Sequence, residues 1–148
     1  MDLVLWRHAD AESGIPDEER RLSAEGRRQA ECMAQWLGKR LPGNCRLVVS
    51  PARRAQETAR ALAPTFEVSG AVGTMATAAS VLEAAGWPHA QGNVVIVGHQ
   101  PTLGQAAAFA LTGTASDLSI AKGALWWLER CEAERLTRVC AVIGPDLV

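Results

Sequence analysis

The chain is predicted to form an α/β domain, a three-layer αβα sandwich whose central sheet is mainly parallel and carries a C-terminal edge hairpin. Two observations lead there. Three times a short apolar run gives way to a polar turn and then to a helix-forming stretch, the alternation that builds a parallel sheet covered on both faces. Near the C-terminus two strand-like runs instead follow one another with only a polar stretch between them. At 148 residues the chain has the size of one domain with one substantial core, and residues 1 to 148 are taken as a single unit.

The first strand is read at Leu3 to Trp6, an apolar run that ends sharply in Arg7 and His8. After a polar loop, Ser23 is a suitable N-cap for a helix in which Ala30, Met33, Ala34, Leu37 and Leu41 recur at helical spacing. The second strand is placed at Arg46 to Val49, with Ser50 as N-cap and Pro51 at the first helical position. Ala55, Thr58, Ala59 and Leu62 then share one helix face. An alanine-rich helix is expected over Met75 to Ala85. The third strand runs from Asn93 to Val97, and Pro101 opens a helix with Leu103, Ala107, Ala110 and Leu111 facing inward. The C-terminal runs "GALWWLE" and "RLTRVCAVIG", separated by a mainly polar stretch of five residues, make the hairpin. Trp126 and Trp127 are neighbours on a strand, so they point to opposite faces and serve packing.

Composition excludes several classes of function. A net charge of -1 gives no electrostatic reason to expect nucleic acid or an anionic membrane surface. Only four apolar residues precede Arg7, too few for a signal peptide or a membrane span, so a cytoplasmic protein is expected. Cys32, Cys45, Cys131 and Cys140 contain no C-x-x-C pair and are read as free thiols, with Cys131 in a turn and the most exposed. His8, His89 and His99 have no carboxylate or thiol at ligand spacing, so neither a metal nor another cofactor is expected. His89 is a surface loop residue.

If the three strands are parallel, their carboxyl ends meet at one edge, where open α/β sheets bind ligands. Arg7 and His8 leave the first strand, Arg53 and Arg54 follow the second, and His99 follows the third. Helix N-termini at Pro51 and Pro101 would add N–H donors there. Two imidazoles and several guanidiniums at one edge suit a tetrahedral anion, because arginine forks match phosphate oxygens and a neutral imidazole can attack phosphorus.

"RHADAE", "SPARRAQETA" and "VIVGHQPTLG", in this order, resemble the Arg-His, S-P-x-x-R-A-x-x-T and strand-His motifs of the histidine phosphatase superfamily, over about residues 1 to 130. The short chain, the alanine after Arg-His and "RRLSAEG" resemble its small SixA-type phosphohistidine phosphatase branch. The resemblance implies that His8 is the phosphorylated nucleophile and that Arg7, Arg54 and His99 surround the phosphoryl group. It selects Arg54 over Arg53. Arg20 is a further phosphate contact by this resemblance, although Arg21 stands where that branch has proline, so Arg20 and Arg21 remain alternatives. The neighbouring run "DEERR" is otherwise a solvated loop.

Larger members of the superfamily supply a mid-chain carboxylate to protonate a leaving alkoxide, whereas residues 68 to 116 here hold only Glu83. An alkoxide leaves with a conjugate acid near water's pKa of about 15.7, an imidazole with one of roughly 6.5. Phosphohistidine is therefore the expected substrate, with Asp10 or a water covering any need for a proton. A histidine-phosphotransfer domain or a phosphotransferase-system carrier would be a chemically suitable partner. Two alternatives are carried forward: a small phosphomonoesterase using Asp10, Glu12 or Glu83 as acid, and a phosphate-binding adaptor without turnover.

Overall fold

The computed structural model describes all 148 residues. Its centre is one six-stranded sheet. In chain order the strands are β1 (Asp2–Arg7), β2 (Cys45–Val49), β3 (Glu67–Val68), β4 (Asn93–Gly98), β5 (Leu125–Cys131) and β6 (Leu136–Ile143). They lie side by side as β3-β2-β4-β1-β5-β6. β3, β2, β4 and β1 are mutually parallel, while β5 runs antiparallel to β1 and pairs with β6 as the edge hairpin.

Alternation along β1 sets the two cores. Leu3 and Leu5 point to the layer formed by α3 (Ala78–Ala85) and α4 (Thr102–Thr112), where they meet Val81, Leu82, Leu103 and Ala107. Val4 and Trp6 point to the layer formed by α1 (Ala24–Gly38) and α2 (Arg53–Arg60), where they meet Met33, Leu37, Ala55 and Ala59. The strands are apolar on both sides because both sides are covered. Trp126 packs toward the first core and Trp127 into the second, as neighbours on a strand must.

Several details differ from the expectation. α2 begins at Arg53 and not at Pro51, because the Ser50 hydroxyl accepts the Ala52 N–H two residues on, and Ala52 is still extended (ψ 135°). α3 begins at Ala78, where Thr77 and Ser80 cap each other's backbone N–H groups, so Met75 lies outside the helix. The hairpin turn has four residues, 132 to 135, since β5 runs on to Cys131 while β6 starts at Leu136, one residue later than expected. Cys131 is half-buried at the end of β5, while Cys32 and Cys140 are the exposed thiols. β3, only two residues long, had no apolar pattern to betray it.

α1 matches its expected cap: Ser23 Oγ accepts from Gly26 N at 3.0 Å. No helix is long and apolar enough to cross a membrane.

Candidate active site

The register of three parallel strands brings their ends together. Arg7 stands opposite Gly98 and Val49 opposite Val97. The ladder continues one residue further on each side, with His8 N donating to Gly98 O at 3.1 Å and Ser50 N to Val97 O at 3.0 Å. His8, Ser50 and His99 thus leave the sheet from adjacent points at its carboxyl edge, where a cavity of about 340 Å³ opens. Its walls carry Arg7, His8, Arg54 and His99 together, then Arg20, Asp17, Lys122, Thr74 and Gln100, and no apolar residue. Arg53 is directed elsewhere, pairing with Glu57 at 2.8 Å.

His8 is held as a neutral base. A carbonyl can only accept, so the 2.8 Å contact between His8 Nδ1 and Ala9 O puts the ring proton on Nδ1. The lone pair is then on Nε2, where it accepts the Arg54 Nε–H at 3.2 Å. Burial, joined by the charges of His99, Arg54 and Arg7, lowers the His8 pKa from 6.5 to about 3, against the opposing pull of the Ala9 carbonyl. The Ala9 N–H donates to Thr58 Oγ1, which in turn donates to the Arg54 carbonyl, so α2 fixes the loop that carries His8.

His99 lies 5.1 Å from His8 between ring centroids. Its Nε2 is 2.7 Å from Ser50 Oγ, which sets the ring's orientation. Burial first, then the charge of Arg54, lowers its pKa to about 4, so His99 is neutral in this state. An entering phosphate dianion would push that value back up. Arg7 is anchored by Nη1 donating to Ile120 O at 2.8 Å, while its Nε and His99 Nδ1 have no hydrogen-bond partner in the protein.

The loop between β1 and α1 contributes more than a solvated run. Asp17, in a short 3-10 turn, accepts Arg54 Nη2 on Oδ2 at 3.1 Å and Arg20 Nη1 on Oδ1 at 3.0 Å. Its backbone carbonyl takes Arg54 Nη1 at 2.9 Å. The Asp17 carboxylate therefore sits between two guanidiniums as an oxyanion would, and the Arg20 bond followed by the Arg54 charge holds it ionised below its usual range. The expectation of a plain solvated loop here is corrected. Charge pattern alone could not show it, because five consecutive charged residues read as exterior.

Arg20 reaches the cavity. Arg21 points away and pairs with Glu12 at 2.7 Å. Asp10, Glu12 and Glu83 do not line the cavity: Asp10 is bonded to Lys122 and Ser23, Glu12 to Arg21, and Glu83 is exposed on α3. The one carboxylate in the cavity is Asp17. Lys122 and Thr74 also line the cavity but stand in no motif, and Gln100 lies inside the "VIVGHQPTLG" run without being one of its matched positions. His89 is exposed, 3.7 Å from Glu132. No group of three or more His, Cys, Asp or Glu side chains stands where it could hold a metal.

Comparison with known proteins bears on this arrangement. A family model described as the histidine phosphatase superfamily (branch 1) matches residues 3–71, a segment that includes Arg7, His8 and Arg54. No curated protein matches the sequence. Among solved structures, the protein histidine phosphatase SixA complexed with tungstate is 21% identical, aligned over 99% of both chains with a TM-score of 0.80. The SixA protein of Nakamurella multipartitia is 24% identical over 97% of this chain and 95% of that one, with a TM-score of 0.77. That of Agrobacterium tumefaciens is 23% identical over 97% of both, with a TM-score of 0.76. At these identities the likeness is one of fold.

Proposed function

We propose that the chain, whose residues 3–71 match the histidine phosphatase superfamily model, is a member of that superfamily and a metal-independent phosphohistidine phosphatase that works through a covalent phospho-His8 intermediate. The observation that carries this reading is the tautomer of His8. Its Nδ1–H is bound to the Ala9 carbonyl, and its Nε2 lone pair faces a cavity walled by guanidiniums and a second imidazole.

In the first step the His8 Nε2 lone pair attacks phosphorus, and the P–N bond of the substrate breaks with its electron pair returning to the substrate ring, which leaves as neutral imidazole because its other ring nitrogen carries a proton. Arg7, Arg54 and His99 hold the equatorial oxygens, and Arg20 lies within the same wall. Phosphate oxygens drawing Arg54 away would release the lone pair that Arg54 Nε occupies in the resting state. In the second step water attacks phospho-His8. Because Nδ1 keeps its proton, His8 leaves as neutral imidazole, both water protons pass to the phosphate, and no acid is needed on the His8 side. Asp10, Glu12 and Glu83 lie outside the cavity, and its one carboxylate, Asp17, is held ionised by Arg20 and Arg54 and has no proton to give, which favours an imidazole over an alkoxide leaving group and hence phosphohistidine over a phosphomonoester. Tungstate in a protein of the same fold, a tetrahedral oxyanion, supports the kind of ligand. A protein bearing phosphohistidine, such as a phosphotransfer domain or a phosphotransferase-system carrier, is the proposed partner.

The test is phosphate release, with EDTA present, from a phosphohistidine-bearing protein and from an aryl phosphate. Wild type should prefer the former by at least a hundredfold, and His8→Ala should lose activity on both. Turnover surviving in His8→Ala would reject the mechanism. Measurable phosphate binding without any turnover would favour an adaptor.

A further inference from the structure

The sequence doubles its arginines at Arg20-Arg21 and again at Arg53-Arg54, and the catalytic cavity uses only one of each pair. Arg20 and Arg54 line that cavity, whereas Arg21 and Arg53 line a recess beside it and, beyond the recess, a cleft of about 470 Å³. Consecutive Cα atoms are only about 3.8 Å apart, so each doublet stands between the catalytic cavity and its neighbour. Arg20 borders both cavity and recess, and Arg21 and Arg53 border both recess and cleft, so the three adjoin.

The cleft lies between α1 and α2. Arg53, Glu57 and Arg60 recur at i, i+4 and i+7 on α2, and Arg27 and Glu31 at i and i+4 on α1, so each helix turns one charged face to it. Glu57 is fully engaged, accepting the Arg53 Nε–H at 2.8 Å and the Leu22 N–H at 2.7 Å. Arg21 is paired with Glu12 at 2.7 Å. Arg27 and Arg60 donate only to neutral acceptors, the Leu22 carbonyl at 3.2 Å and Gln56 Oε1 at 3.3 Å. Against them stand Glu31 in the cleft and Glu19 in the recess. Across the three spaces, eight of the chain's 15 Lys and Arg side chains stand with five of its 16 carboxylates, a local excess of three positive charges on a chain of net charge -1. Such an excess draws in an anionic ligand. The apolar part of the cleft is Leu22, Ala30 and Ala61, with no aromatic ring on which a nucleobase could stack, so the ligand it fits is a run of carboxylates and not a single-stranded nucleic acid.

Building on the phosphohistidine reading, we propose that the recess and the cleft between α1 and α2 bind acidic side chains flanking the phosphohistidine of the substrate protein, so that the enzyme selects phosphohistidine in an acidic segment. Phosphate engages Arg20 and Arg54, and the neighbouring carboxylates engage Arg21, Arg27, Arg53 and Arg60. Because Arg21 and Arg53 are the chain neighbours of Arg20 and Arg54, a segment extended at about 3.3 Å per residue passes from one set to the other within a few residues.

The test compares two synthetic peptides phosphorylated with phosphoramidate on their single histidine, one flanked on each side by four glutamates and the other by four glutamines. Wild type should turn over the glutamate peptide with a kcat/KM at least tenfold higher at about 20 mM salt, through KM, and the preference should shrink below about threefold at about 0.5 M salt as exposed charges are screened. The double variant Arg27→Gln, Arg60→Gln breaks no ion pair between side chains. In it the preference should fall to about threefold or less at low salt, while the rate on the glutamine peptide stays within twofold. Equal wild-type rates on the two peptides would overturn the proposal, and so would an undiminished preference in the variant. Equal losses on both peptides would overturn it too, because the two arginines would then act on the catalytic cavity. Binding of the unphosphorylated glutamate peptide, read by fluorescence anisotropy of a labelled copy, separates this proposal from the phosphatase reading. If wild type turned over neither peptide, that reading would fail, while binding present in wild type and lost in the variant would still support the cleft. Neither turnover nor binding would overturn both.

Discussion

His8 and His99 are buried as neutral rings, with pKa values near 3 and 4 against an ordinary 6.5. Below pH 6.5 the unfolded chain takes up protons on these rings that the folded chain refuses, so folding stability is complete above that pH and falls as the pH drops through the window. Each ring should contribute a slope approaching about 1.4 kcal/mol per pH unit between roughly pH 6 and its folded pKa. Urea unfolding of wild type and His99→Gln at pH 7, 6 and 5 checks this. The variant should lose part of the acid slope, and identical slopes would show that His99 is not buried neutral. Asp17 makes the second prediction at this scale. Its carboxylate holds Arg54 and Arg20 where phosphate would, so Asp17→Asn should tighten inorganic phosphate by about three- to fivefold, a modest gain because the carboxylate is half exposed. Titration calorimetry at pH 7.5 reads it, and an unchanged affinity would mean that the carboxylate moves aside without cost. Arg7, His8 and His99 were legible at the cavity because each stands at a strand end, whereas Arg54 was separated from Arg53 only by the family resemblance. Asp17 was not legible, because its role depends on how the sixteen residues between β1 and α1 fold back over the cavity.

At the scale of elements, the start of α1 fixes the exit from β1. Ser23 N donates to Asp10 O at 3.0 Å, and a Cβ added at Gly26 would come within 1.9 Å of that same carbonyl. Gly26→Ala must push the helix off the loop that follows His8, at a cost of about 3 kcal/mol or more. Thermal unfolding should show this as a large drop in Tm, and an unchanged Tm would contradict the close approach. Helix α1 was legible from its cap and its apolar spacing. α2 and α3 were displaced from their expected starts by hydroxyl groups. Ser50 spends its oxygen on Ala52 and His99, and Thr77 with Ser80 forms a reciprocal cap. A sequence shows that such residues can cap but not which N–H group they will choose. Ser50 illustrates the gain from that choice, since the shift of α2 by two residues leaves its hydroxyl free to orient His99.

For the whole molecule, strand order creates the site. β4 lies between β1 and β2, so the carboxyl ends bearing His8, His99 and Ser50 become neighbours although they are separated by some fifty residues along the chain. Alternation of strand and helix made the parallel sheet predictable, and the two adjacent C-terminal runs made the hairpin predictable. What no local pattern shows is the convergence of loops from across the chain, Lys122 and Thr74 among them, onto one cavity. The central claim is that this cavity transfers a phosphoryl group to His8. The direct measurement is rapid-quench labelling with a 32P-phosphohistidine protein, followed by peptide mapping. The account predicts an acid-labile, alkali-stable phosphoenzyme on His8 that forms and decays at rates matching turnover, and that is missing in His8→Ala. Turnover with no label on His8, or with label on another residue, would contradict it.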